Sequence, residues 1–245
     1  LAGNLDVPLL GCGSHKFNLA VRTWIKQQPY LLSIIGKKVA SVMKKASTLK
    51  IAAKLGKLTA YSTVCENDTR WLSTFQMLSR FFKLQQQLGV IVELLELLPT
   101  HVEVNILSKG LRSLSKFNQI TVMSHRDGIS FVEVRQIFDA VLVDYPDLDH
   151  HLGDKASIVE SPAFENAVMR IASGLPLSEE QRCIAGCLLY DQDDNVLSIA
   201  DACAAAIQGS NINLGSDDED GVVNYAMRVE QRLKRKKMDS NTGGK

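Results

Sequence analysis

Five groups of residues in this chain have side chains and spacings that could do chemistry. Cys12-x-x-His15 offers a thiolate and an imidazole, two of the four ligands of a tetrahedral zinc. No compact second pair lies nearby in sequence, and a packed thiol beside a hydrogen-bonded imidazole is the plainer reading. Asp144, Asp147, Asp149, His150 and His151 form a denser set. Their spacing crosses Pro146 and lacks a His-x-x-x-His repeat, so a loop opening a helix explains them more simply. Cys183 and Cys187 stand four apart beside Ala185 and Leu188, the spacing of small core residues on one helix. Asp191, Asp193 and Asp194 lack the Gly and terminal Glu that a calcium loop requires. No metal ligand is assigned from these groups.

The fifth group organises the rest. Cys65 to Thr69 is polar, and at Trp71 an apolar helical pattern begins, with Leu72, Phe75, Leu78, Phe82 and Leu88 roughly on one face. Asn67, Asp68 or Thr69 is expected to cap that helix, which places Arg70 and Trp71 at its first turn. A cation is misplaced there, because the helix dipole favours an anion. Arg70 is therefore expected to have a partner, either an internal carboxylate or an external phosphate. On the residues alone, Trp71 reads as core and Arg70 as a structural ion pair, with a binding role as the alternative.

The elements that must position these residues are read as mostly helical. A helix from Ser14 carries Phe17, Ala20, Val21, Trp24 and Ile25; Pro29 then separates helices over residues 30–46 and 48–58. In these two, Lys37, Lys38, Lys44, Lys45, Lys50, Lys54 and Lys57 interleave with Ile34, Ile35, Val39, Val42, Ile51 and Leu55, an amphipathic pattern. Further helices are expected over residues 90–98, 102–114, 115–123, 129–143 and 160–172, then from a capping box at Ser178-Glu179-Glu180-Gln181. Val7 to Leu10 reads as a short strand. Residues 209–221 read as an acidic linker, and residues 222–245 as a basic helix with a disordered tail. The run Arg232 to Lys237 fits a nuclear localisation signal, a nucleic-acid patch or a solvated tail.

A formal net charge of +1 conceals strong segregation. Residues 16–60 hold ten Lys or Arg and no acid, while residues 191–220 hold eight acids and no base. That distribution argues for an anionic partner as one cause. The strip of lysines could bind the DNA backbone, whose charge is independent of sequence, or could be a solvated helix face. An odd number of irregularly placed Cys, five, excludes a disulfide framework and predicts a reduced, intracellular setting. No apolar run approaches the length of a membrane span. The chain starts at Leu1 with motifs close behind it, which predicts a fragment.

Arg70-Trp71-Leu72-Ser73-Thr74-Phe75-Gln76-Met77-Leu78 resembles the conserved Arg-Trp-x-Ser-Thr-x-x-Met-Leu segment of hAT-type DNA transposases. Leu10 to Val21, containing Cys12, His15 and Asn18, resembles that family's Cys-x-x-His segment and the helix after it. The two matches stand in order, about fifty residues apart, and cover residues 8–90. The resemblance implies a ribonuclease-H-like α/β core over residues 1–90, interrupted by a helical insertion over residues 91–208. It implies a catalytic triad of two Asp and one Glu holding Mg²⁺ or Mn²⁺. Only Asp6 stands where the second Asp would, and only with strained alignment; the first Asp and the final Glu have no counterpart. The expectation is a catalytically inactive transposase fragment or derivative, without cofactor. DNA would be contacted by Arg70 and the lysine strip, while Cys12, His15, Asn18, Trp71 and Ser73 support the structure. The implied location is the nucleus, otherwise the cytoplasm, with self-association a further expectation and no membrane partner. A non-catalytic nucleic-acid-binding protein and a helical protein-interaction scaffold are the alternatives.

Overall fold

Apolar residues at helical spacing, punctuated by Pro and Gly, produce helices in every long described segment. The structure is a computed structural model that describes residues 10–67, 70–156, 159, 161–186 and 225–242. None of these residues lies in a strand. The expected remnant of a ribonuclease-H-like α/β core is therefore corrected, and with it the reading as a hAT-type transposase fragment. The physical reason lies in the period. Segments 13–55 and 71–97 place their apolar residues three or four apart, so each buries one stripe of a helix and offers no alternating face for a sheet. Of the strand expected at Val7 to Leu10, residues 7–9 lie outside the described residues and Leu10 is irregular backbone. The linker at 209–221 and the acids at 191–194 also lie outside them, as does Cys187.

The chain divides into two compact units, residues 21–119 and residues 1–20 with 120–245. The boundaries fall inside helix α1 (Gly13–Lys26) and inside helix α6 (His101–Ser124). In the 21–119 unit, α2 (Pro29–Ile34) runs through a π-helical turn at Ile35–Val39 into α3 (Ala40–Ala46), followed by α4 (Leu49–Leu55). Across that turn Ile35 and Val39, four residues apart, both face inward, while Lys37 is exposed and Lys38 half-exposed. Beyond it Val42, Met43 and Ala46 continue the buried stripe. Helix α5 (Trp71–Gly89) packs on α3 and on the π-helical turn, burying Trp71, Met77, Leu78, Phe81, Leu84 and Leu88.

Residues 92–97 form a 3-10 helix in which Leu94 alone is fully buried. The sequence pattern predicts an ordinary helix over residues 90–98. With three residues per turn, only Ile91 and Leu94 reach the core, leaving Val92 and Leu95 exposed. Residues 102–123 form one helix, α6, rather than two. It approaches α2 at Gly110, where a Cβ would stand 2.8 Å from both Leu31 methyl carbons.

In the other unit α7 (Phe131–Asp144) is the hub. Ser130 and Glu133 form a capping box at its start, and it packs on α8 (Asp149–Leu152), α9 (Pro162–Ala172) and α11 (Tyr225–Thr242). Phe17 of α1 stacks on Phe138, centroids 5.9 Å apart. Helix α9 ends in a Schellman motif: Gly174 adopts φ 66°, and Leu175 N–H donates to Arg170 O at 2.8 Å. The expected capping box at Ser178 and Gln181 opens α10 (Glu179–Ile184). Helix α11 continues to Thr242, into the stretch expected to be a disordered tail.

Candidate nucleic-acid interface

The charge segregation seen in the sequence acquires structural boundaries. Residues 21–119 carry fifteen Lys and Arg against five Asp and Glu, a net of +10. The remaining residues carry thirteen against twenty-two, a net of −9. A +10 unit repels itself unless an anion lies against it.

The helix faces locate that charge. On α3, Val42, Met43 and Ala46 turn inward while Lys44 and Lys45 are exposed; on α4, Ile51 and Leu55 turn inward while Lys50 and Lys54 are exposed. Lys37 and Lys57 are also exposed, and Lys38 half so. Lys54 donates to the Glu93 carboxylate. That bond, a backbone hydrogen bond and the charges of Lys54 and Lys50 hold Glu93 below the usual carboxylate range. Lys38 acts similarly but weakly on Glu103, whose carboxyl is lowered mainly by hydrogen bonds from Thr100. Among the described residues, Lys37, Lys38, Lys44, Lys45, Lys50 and Lys57 form no ion pair with a carboxylate. Six lysines thus stand on the π-helical turn, on α3, on α4 and just beyond it, without a carboxylate ion pair among the described residues.

Arg70 occupies the N-cap of α5 in extended backbone, and its side chain makes no capping bond. Of the residues expected to cap the helix, Asp68 and Thr69 lie outside the described ones. Ser73 Oγ lies within donating distance of Arg70 O, 2.7 Å, and of Asn67 O, 2.5 Å, while Thr74 donates to the Glu66 carboxylate. Glu66 therefore supplies the anion that the helix dipole favours. Arg70 is exposed and has no ion-pair partner among the described residues. Trp71 is 4% exposed and meets Phe117 edge-on at 6.5 Å, as Trp24 meets Phe117 at 5.2 Å.

The two matched motifs fall in different units: Cys12, His15 and Asn18 in the terminal one, Arg70, Trp71 and Ser73 in the 21–119 one. Cys12 and His15 are exposed and Asn18 is half-buried. No group of three or more His, Cys, Asp and Glu among the described residues is placed to hold a metal ion. The Mg²⁺ or Mn²⁺ implied by the resemblance has no fitting ligand set there. Asp144 is instead engaged by Arg232, and its carboxyl is held low chiefly by that bond. The His150 and His151 rings lie 4.3 Å apart; burial, then repulsion from His150, lowers the His151 imidazole. Cys183 is a free, exposed thiol.

One feature is not visible from residue spacing. Arg80, on α5, reaches back across eighteen residues to donate to Ser62 O at 2.7 Å, and its guanidinium carbon lies 5.2 Å from the Tyr61 ring centre. Beside it is an open groove of about 360 Å³ lined by Val64, Phe75, Gln76, Ser79, Arg80 and Lys83. The spacing of Phe75, Gln76, Ser79, Arg80 and Lys83 marks one helical face, but no rule of spacing shows which irregular segment crosses it. Among the described residues no helix is long and apolar enough to cross a membrane. Compared with protein-family models, curated proteins and solved structures, the chain matches none.

Proposed function

We propose that the 21–119 unit is a helical nucleic-acid-binding module that grips the phosphate backbone through Lys37, Lys38, Lys44, Lys45, Lys50 and Lys57. The observation that carries this reading is a set of six lysines on consecutive segments, with no carboxylate ion pair among the described residues, in a unit of net charge +10. Lysines are strongly hydrated point charges, so they suit phosphates without fixing a sequence. Buried stripes on the same helices hold the lysines on a rigid scaffold, which lowers the ordering cost of binding. Arg70, exposed at the start of α5 in the same unit, is added to these six lysines as a further contact.

The test is fluorescence anisotropy of a labelled DNA duplex across a salt series, with anionic lipid vesicles and an acidic polypeptide as further ligands. Neutralising Lys44, Lys45 and Lys50 together with Gln should weaken duplex binding without altering the melting temperature. The slope of log K against log salt should flatten by about 0.9 for each phosphate that is no longer neutralised. Binding to vesicles or to the acidic polypeptide alone, with none to nucleic acid, would reject the module and leave the strip a membrane or protein contact.

A further inference from the structure

We infer that the groove between Val64 and α5 binds a nucleotide of a single-stranded nucleic acid, with its base against Phe75 and the Arg80 guanidinium and its phosphate on Lys83. The inference rests on the proposed nucleic-acid reading and deepens it, because the lysine strip explains affinity for any backbone whereas this groove selects unpaired bases.

The chemistry of the groove wall differs from that of the strip. Phe75 supplies a half-buried π face, and Arg80 a planar cation that stacks on bases as aromatic rings do. Gln76 and Ser79 add an amide and a hydroxyl, which together donate and accept, matching the mixed edge of a base. Lys83 is exposed and has no carboxylate partner among the described residues. An acidic peptide would satisfy the two cations but leave the π surface and amide unused. A duplex would present phosphates but keep its bases stacked out of reach.

Arg80 is held in place rather than left to wander. Its bond to Ser62 O fixes one end of the guanidinium, and the Tyr61 ring packs near its carbon. Tyr61 is half-exposed and does not line the groove, so it is a positioning residue acting through Arg80. The guanidinium retains further N–H donors beyond the one spent on Ser62.

Arg80→Lys is the decisive variant, since it keeps the charge and removes the planar fork. The full chain would be titrated with three probes: an oligothymidylate single strand, a duplex of equal length, and inorganic polyphosphate. Wild-type protein should bind the single strand more tightly than polyphosphate. Arg80→Lys and Tyr61→Leu should each weaken single-strand binding by about tenfold, the scale of one base–side-chain stack, and leave duplex and polyphosphate binding within twofold or so. Adding a mononucleotide separates the two sources of this chemistry: competition at equal potency would assign the groove to free nucleotides instead of a strand. Equal losses for all three probes, or none for the single strand, would overturn the groove while the lysine strip stands. A wild-type protein that binds no nucleic acid would overturn both. Lys44→Gln with Lys45→Gln marks the strip separately, because its losses should fall on duplex and single strand alike.

Discussion

Lys16 and Glu165 form an ion pair inside the terminal unit, Nζ to Oε1 at 2.5 Å, with side chains only 5% and 6% exposed. In sequence Lys16 looks like the first member of the basic strip; in the structure it has no share in it. A charge removed from water this completely needs its partner. Replacing only one, as in Glu165→Leu or Lys16→Met, should lower stability by about 3 to 5 kcal/mol, since the other is left buried and uncompensated. The double variant should recover most of that loss. Chemical denaturation of the two singles and the double closes the cycle, and additive losses would show that the two charges do not depend on each other.

Trp71 sits at a different kind of junction. Its indole is buried against Phe117 and near Phe75, at 6.5 and 6.4 Å between ring centres. Trp71→Ala should cost about 3 to 5 kcal/mol through the cavity it leaves. Arg70→Ala, one residue away and exposed, should leave the unfolding midpoint nearly unchanged and weaken nucleic-acid binding at low salt. A Trp71→Ala protein of wild-type stability with lost binding would move Trp71 from the core to the interface.

Local signals in the sequence were legible because they act locally. The apolar stripe of α5, the capping box at Ser178 and the exposure of Lys44 and Lys45 each follow from residues within one or two helical turns. The ribonuclease-H expectation failed because it came from two short motifs, not from any run of alternating residues able to pair as strands. Arg70-Trp71-x-Ser73-Thr74 is equally at home where any polar segment enters an amphipathic helix, and the hydroxyls serve that entry. The π-helical turn was hidden, because Ile35, Val39, Val42 and Ala46 keep spacings of three and four that an unbroken α-helix satisfies equally well. The Arg80 groove was hidden for another reason: its second wall is Val64, in an irregular segment whose path over α5 is set by tertiary contacts such as Arg80 to Ser62 O.

Gly110 reports how tightly α2 and α6 approach. An added Cβ would lie 2.8 Å from both Cδ1 and Cδ2 of Leu31, so that side chain, only 6% exposed, would have to turn away within the core. Ala gains about 1 kcal/mol over Gly in a helix interior, but overpacking costs about 1 to 3 kcal/mol. The clash should win, and Gly110→Ala should be destabilising. Gly89→Ala, with nothing within 4 Å of the added carbon, should be neutral or stabilising and serves as the control. Combining Gly110→Ala with Leu31→Ala should cost less than the two separately, because the smaller side chain vacates the contested space. Strict additivity in thermal melts would mean the helices simply move apart.

Asp144 and Arg232 join α7 to α11 through two parallel bonds, Nη1 to Oδ2 at 2.8 Å and Nη2 to Oδ1 at 3.0 Å. The bond from Arg232, opposed by partial burial and aided by Tyr225, lowers the Asp144 carboxyl from its ordinary value. A carboxyl held lower in the folded state than in the unfolded one binds its proton less readily when folded. Its contribution is therefore fully present above the unfolded value, about 3.9, and is lost as the pH falls through the folded value. The buried residues Tyr225 and Val229 would keep α11 associated at neutral pH, so acid should loosen its hold on α7 without melting the 21–119 unit. Hydrogen exchange along residues 225–235 should show protection that declines once the pH drops below about 4. Asp144→Asn keeps the shape but not the charge. Its α11 should exchange faster at neutral pH, and its protection should change less on acidification than that of the wild type. The same acid-dependent loss in both proteins would assign the effect to other carboxylates and remove Asp144 from the account.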